Sequence, residues 1–149
     1  MIVFFLRPHS WDFPLFLHVL GAVLLFGGTL TVTVLATATW RGRDQAQLLS
    51  RLAFRMLVVV VLPAWILMRA GAQWIVDKEY PHTTPGWVDV GFIVSEPGLV
   101  LLIALGVLAW ASSRRGGVGR TAAAMAVLAP VYLLALAVAW FAMSAKPGS

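Results

Sequence analysis

The sequence predicts an all-α fold, a four-helix transmembrane bundle of up-down-up-down topology, and three observations predict it. Apolar residues make up 60% of the 149-residue chain and charged residues 11%, outside the mixture found in soluble domains. Four stretches, about 13–40, 53–76, 90–112 and 121–143, each supply the roughly 20 helical residues that cross a hydrocarbon core about 30 Å thick. The connections "RGRDQAQLLSR", "DKEYPHTTPGWVD" and "SRRGGVGR" are short, so consecutive helices lie antiparallel and adjacent. The chain, 1–149, therefore reads as a single integral membrane domain with no linker and no internal repeat.

The N-terminal "MIVFFLRPHSWDFP" opens on too short an apolar stretch for the core of a removable signal peptide. The first span is too long for one and runs into "WRGR". It is expected to stay in the mature protein. "GRDQAQLLSR" forms an amphipathic lead-in to the second span.

Charge gives the direction of the chain. Arg41, Arg43, Arg51, Arg55, Arg114, Arg115 and Arg120 cluster in the first and third connections against Asp44, whereas Asp77, Glu79 and Asp89 surround Lys78 in the second. The positive-inside rule makes the arginine-rich loops cytoplasmic and both termini extracytoplasmic. The net charge of +5 is thereby used in topology, and with no recognition motif beside it nucleic acid is not expected as a partner. Trp11, Trp74, Trp87 and Trp140 fall at the predicted outer boundary and Trp40 and Trp110 at the inner one, as an aromatic belt requires. Trp65 lies in mid-membrane after Pro63, which is expected to loosen or kink the second helix, as Pro130 does the fourth. Small residues let membrane helices approach. Ala22, Thr29, Thr33 and Ala36 form such a face on the first helix, and Gly98, Gly106 and Ala109 form a matching one on the third.

With this orientation His18, Arg69 and Glu96, on three different helices, sit at one level roughly 7–11 Å beneath the outer boundary. Gln73 stands one turn from Arg69 and Asp77 one turn further out. A charge facing hydrocarbon costs at least about 2.5 kcal/mol, so Arg69 and Glu96 are expected to turn inward and pair. That pairing requires the third helix to continue through Pro97. If "SEPG" instead starts the helix, with Ser95 as cap, Glu96 stays near the headgroups. The layer of His18, Arg69, Gln73 and Glu96 reads either as a ligand-binding or proton-handling site or as a clasp that fixes helix register. Tyr132, mid-span, reads as a packed residue with one satisfied hydroxyl.

Cysteine is absent, which removes thiolate metal sites, iron–sulfur clusters and cysteine nucleophiles. G-x-S-x-G, P-loop and H-E-x-x-H motifs are absent too, so no catalytic residues are assigned and an intramembrane enzyme ranks last. Haem b would need a second axial ligand beside His18, from Met68 or Met143 at similar depth. Copper would need His9, His18 and His82 to converge on the outer face.

"LHVLGAVLLFGG", the basic inner loop behind a tryptophan, and "RMLVVVVLPAWILMRAGAQWI" resemble uncharacterised bacterial four-helix membrane proteins. They are distantly similar to the membrane part of CopD-type copper-resistance proteins, where an early "LH" precedes a glycine-rich helical turn. The CopD-type resemblance implies copper handling or uptake, and His18 alone carries over by position. The expectation is a small multi-pass accessory or ligand-binding protein, non-enzymatic, with other membrane subunits or further copies of itself as partners. The alternative is a haem- or copper-binding protein using His18 in electron transfer or copper handling.

Overall fold

Lipid offers a peptide group no hydrogen bond, so every backbone donor and acceptor within the bilayer must be satisfied inside the protein. The computed structural model meets this requirement with helices throughout. It describes residues 12–42, 44–79 and 86–145, with Glu79, Trp87 and Val90 described by their backbone alone. The helices are α1 (Asp12–Arg41), α2 (Ala46–Met56), a π-helical turn (Leu57–Val61), α3 (Leu62–Glu79), α4 (Gly86–Arg114) and α5 (Arg120–Ala145). Because α2, the π turn and α3 form one rod, four helical segments of 30, 33, 24 and 26 residues are long and apolar enough to cross a membrane.

Each rod borders the next along the chain, and α5 closes back onto α1. The pairs are antiparallel: on α1 and the second rod Gly71 lies against His18 and Gly28 against Val61, and Ser50 meets Ser112 while Trp65 meets Ser95 across the second rod and α4. The core runs along the bundle axis through Leu25, Val32, Val61, Leu105, Met125 and Tyr132. Outward faces are apolar as well, with Val59, Ile93, Val100, Leu134 and Phe141 all exposed. Such a surface is suited to lipid contact. Trp40, Trp74, Trp110 and Trp140 are exposed near helix ends, while Trp11 and the Trp87 side chain lie outside the described residues.

The second rod begins at Ala46, seven residues before the expected boundary, because the lead-in is itself helical: α2 buries Ala46, Ser50 and Ala53 on one face and exposes Arg51 and Arg55. Pro63 does not break the rod. A proline ring clashes with the carbonyl four residues back, here that of Val59, and the wider turn just before it, closed by the Leu62 N–H on the Leu57 carbonyl, makes room. One extra residue also rotates everything beyond it by about 100°. Accordingly α2 borders both α1 and α4, whereas α3 packs extensively on α1 and touches α4 at few points. Pro97 and Pro130 lie inside unbroken helices, so α4 is continuous through "SEPG".

Close approach between α1 and α3 relies on glycine. A Cβ on Gly71 would lie 2.6 Å from the His18 backbone nitrogen and 2.7 Å from the Pro14 carbonyl oxygen, and one on Gly21 would lie 2.8 Å from the Ala64 carbonyl oxygen and collide with the Met68 nitrogen. The small-residue pairing expected between the first and third spans, α1 and α4, does not occur in that form. Gly98 packs instead on the Tyr132 ring of α5, and Gly106 faces open space; Thr29, Ala36 and Ala109 are buried. The α4–α5 connection turns through Gly116, Gly117 and Gly119, all at positive φ (80°, 78° and 92°). Gly117 donates to the Ser112 carbonyl at 2.7 Å, the 6→1 bond of a glycine-terminated helix.

Leucine at Gly21 or Gly71 is expected to cost at least about 1–3 kcal/mol, since backbone has no room to yield, or to prevent folding. Gly27, with nothing within 4 Å of an added Cβ, should accept leucine within about 0.5 kcal/mol. Unfolding titrations in mixed micelles check the contrast; equal losses at Gly21 and Gly27 would refute the glycine contact.

Candidate functional site

The expected polar layer exists in depth but is divided by α3 into two parts. Successive residues on a helix point about 100° apart, so Met68 and Arg69 serve different neighbours. Toward α1, His18 Nδ1 bonds the Met68 carbonyl oxygen at 3.0 Å. A carbonyl only accepts, so Nδ1 is the donor, and Nε2 is left outside this bond. The imidazole reaches the opposite backbone because Gly71 lets α1 and α3 nearly touch at this level.

On the α4 side, Arg69 Nη2 lies 3.6 Å from Glu96 Oε1, with the arginine side chain 24% and the glutamate side chain 70% exposed. The predicted partners therefore meet, although Glu96 is not buried as expected. α4 continues through Pro97, but α3 touches α4 at few points and Glu96 meets the guanidinium from an exposed position. Two further contacts hold the arginine. Its Nη1 donates to Gln73 Oε1 at 2.7 Å, and its guanidinium carbon lies 4.3 Å from the centre of the Phe92 ring, a cation–π distance. Gln73 Nε2 in turn donates to Asp77 Oδ1 at 2.7 Å. The result is a ladder, Glu96–Arg69–Gln73–Asp77, one rung per helical turn, along the side of α3 that α4 leaves thinly covered.

One turn deeper, Trp65 Nε1 donates to the Ser95 carbonyl at 3.1 Å, so the mid-membrane tryptophan ties the two helices just beneath the ladder. No sequence pattern announces this bond or the contribution of Phe92. The only available signal is the general need of an indole N–H in lipid for an acceptor. At the arginine-rich end the same two rods are joined by Ser50 and Ser112, whose hydroxyls are 3.0 Å apart, and by Gln47 Nε2 donating to the Ser113 carbonyl at 3.1 Å. Serines near the arginine-rich ends of two neighbouring spans were the available clue.

Tyr132 is packed as expected, but its hydroxyl has no hydrogen-bond partner among the described residues; the Thr29 and Ser95 hydroxyls share that condition. Among the described residues no group of three or more His, Asp or Glu side chains could hold a metal ion. His9 and His82 lie outside the described residues. Of the two methionines considered for haem, Met68 offers His18 its carbonyl, and Met143 packs its terminal methyl at Gly91.

Comparison with known proteins finds no matching family model, no similar curated protein and no similar solved structure. The likeness to CopD-type proteins thus rests on the first-span residues alone.

Replacing Trp65 by phenylalanine is expected to cost about 0.6–1.7 kcal/mol, between the mean and the maximum measured for interhelical hydrogen bonds in membranes. Glu96→Gln, at an exposed position, should stay within about 0.5 kcal/mol. Unfolding in mixed micelles gives both values, and a Glu96 effect exceeding that of Trp65 would show that the ion pair, rather than the indole, holds this seam.

Proposed function

We propose that this chain is a small non-enzymatic accessory or ligand-binding protein of the bacterial cytoplasmic membrane, whose binding element is the Arg69 ladder between α3 and α4. The observation that carries the reading is the state of Arg69. A guanidinium inside a membrane bundle needs acceptors, yet its carboxylate is 70% exposed and 3.6 Å away, too long for a strong charge-assisted bond. A ligand bearing a carboxylate or another strong acceptor can replace Glu96 on Nη2 while Gln73 and Phe92 keep the guanidinium in place. With the arginine-rich loops cytoplasmic and both termini outside, the ladder opens toward the extracytoplasmic side, and membrane subunits or a second copy of the chain are the partners an accessory protein would serve.

Wild-type protein gently released from membranes should carry a bound small molecule, visible as a mass adduct in native mass spectrometry, that Arg69→Gln loses while still folded. An adduct retained by the variant, or none in the wild type, overturns the reading. The haem or copper alternative rests on His18 alone among the described residues. A Soret band abolished by His18→Ala, or copper retained at one per chain, would establish it, whereas a colourless, metal-free preparation leaves the ligand-binding reading in place.

Orientation has its own test. Because the chain has no cysteine, Asp44→Cys and Lys78→Cys each give a single label site. Lys78→Cys should react with an impermeant maleimide added outside intact cells and Asp44→Cys only after permeabilisation; equal labelling of both from outside contradicts the assigned direction.

A further inference from the structure

At the arginine-rich half of the bundle, α2 and the π turn face α4 across an apolar groove of about 260 Å³, lined by Phe54, Val58, Leu102, Gly106, Val107 and Trp110 among others. This is below the roughly 300–1,000 Å³ of a pocket that encloses a whole small molecule. The groove is also open toward the bilayer, since Val58, Ile103, Val107 and Trp110 are all exposed. Gly106 shapes its floor, with no heavy atom within 4 Å of where a Cβ would stand.

The groove is apolar along its length and cationic at one end. On the second rod Arg51 stands one turn before Phe54, and Arg55 one turn before Val58; on α4 the stripe Ile103–Val107–Trp110 ends in Arg114. The Ser50–Ser112 hydroxyl contact at 3.0 Å brings the two rods to the same level here, so Arg51 and Arg114 close the same mouth. Arg114 lies with its guanidinium carbon 4.7 Å from the Trp110 ring centre. All three arginines are exposed, and none has an ion-pair partner among the described residues. From Arg51 to Leu62, the far end of the groove, is roughly 16 Å of helix, close to half of a hydrocarbon core about 30 Å thick.

We propose that this groove is a binding site for one anionic phospholipid, its acyl chain lying against Gly106 and its phosphate held by Arg51, Arg55 and Arg114. The length matches a single leaflet, and the charge lies only where a headgroup would be. Basic pockets between helices on the cytoplasmic side take anionic headgroups for this reason. A transmembrane helix from another chain would fill the apolar part but would leave three guanidiniums at the mouth without a counter-charge. The site is independent of the Arg69 ladder, which is at the other end of the bundle.

The test uses full-length protein in detergent, offered an equimolar mixture of phosphatidylglycerol and phosphatidylcholine with identical acyl chains, with retained lipid quantified by native mass spectrometry. Phosphatidylglycerol should be enriched about fivefold for each arginine engaged, and Arg51→Gln/Arg55→Gln/Arg114→Gln should bring the ratio close to one. Gly106→Leu should reduce retention of both lipids, with thermal stability unchanged because the added side chain enters open space. Arg69→Gln should leave the ratio untouched, separating this site from the ladder. Glycerophosphoglycerol, the headgroup without chains, should not compete. The proposal is overturned by equal retention of the two lipids, by enrichment that survives the triple glutamine variant, by competition from the chainless headgroup at the same concentration, or by a dimer that Gly106→Leu abolishes without any dependence on lipid.

Discussion

The backbone contact between α1 and α3 is the constraint on which the rest of the bundle depends. Lipid tails compete equally well for apolar side chains, so membrane helices gain from each other mainly through close packing and shared polar bonds. Glycine allows the closest packing there is. Gly21 rests on the Ala64–Met68 backbone and Gly71 on that of Pro14 and His18, so each helix supplies a glycine for the other's main chain. Only at that separation can the His18 ring reach a main-chain carbonyl on α3. The same contact commits α3 to α1 and draws it from α4, and the gap is then bridged by the longest side chains available, Trp65 and Arg69. The polar seam is in this sense a product of the glycines on the opposite side of α3.

Hydroxyls in lipid follow the same accounting of partners. Thr31, Thr33, Thr37, Thr39 and Ser50 each donate to the carbonyl four residues earlier on their own helix, the solution that needs no neighbour. Thr29, Ser95 and Tyr132 do not use it, and all three hydroxyls are buried. For Tyr132 it is geometrically closed, because a phenol cannot fold back on its own turn. Gly98 on α4 accommodates its ring, where a Cβ would lie 2.9 Å from the Cε2 carbon. Tyr132 therefore sets the α4–α5 spacing by shape, as Gly21 and Gly71 set the α1–α3 spacing by the absence of it.

The spans were legible in the sequence because length and apolarity are properties of a segment by itself. The level shared by His18, Arg69 and Glu96 was legible too, since depth follows from counting residues along a helix. Which neighbour each residue serves was not. Direction around the helix decides that, and one extra residue in the π turn rotates all of α3 relative to α2. Pro63 marked the place without giving the amount. The expected small-residue match between α1 and α4 failed for the same reason: Gly98 and Gly106 are as small as Gly21 and Gly71, and composition cannot say which helix they meet. Ser50 and Ser112 passed unnoticed because serine is common at helix ends, and their significance lies only in their mutual distance.

The two ends of the seam between the second rod and α4 differ in kind. At the arginine-rich end Ser50–Ser112 and Gln47–Ser113 join the rods directly, and Gly117 tucks the α4–α5 loop under the start of α2, where a Cβ would strike the Ala46 carbonyl. At the other end the Trp65 bond, a stretched ion pair and one cation–π contact do the joining. Interhelical hydrogen bonds in membranes average about 0.6 kcal/mol, and an exposed ion pair contributes at most about 1 kcal/mol. Separating α3 from α4 near Arg69 thus costs only a few times the thermal energy, while α1 and α3 remain locked backbone to backbone. Of the two ends of this seam, the one at Arg69 therefore separates more easily, down to the Trp65 bond below it.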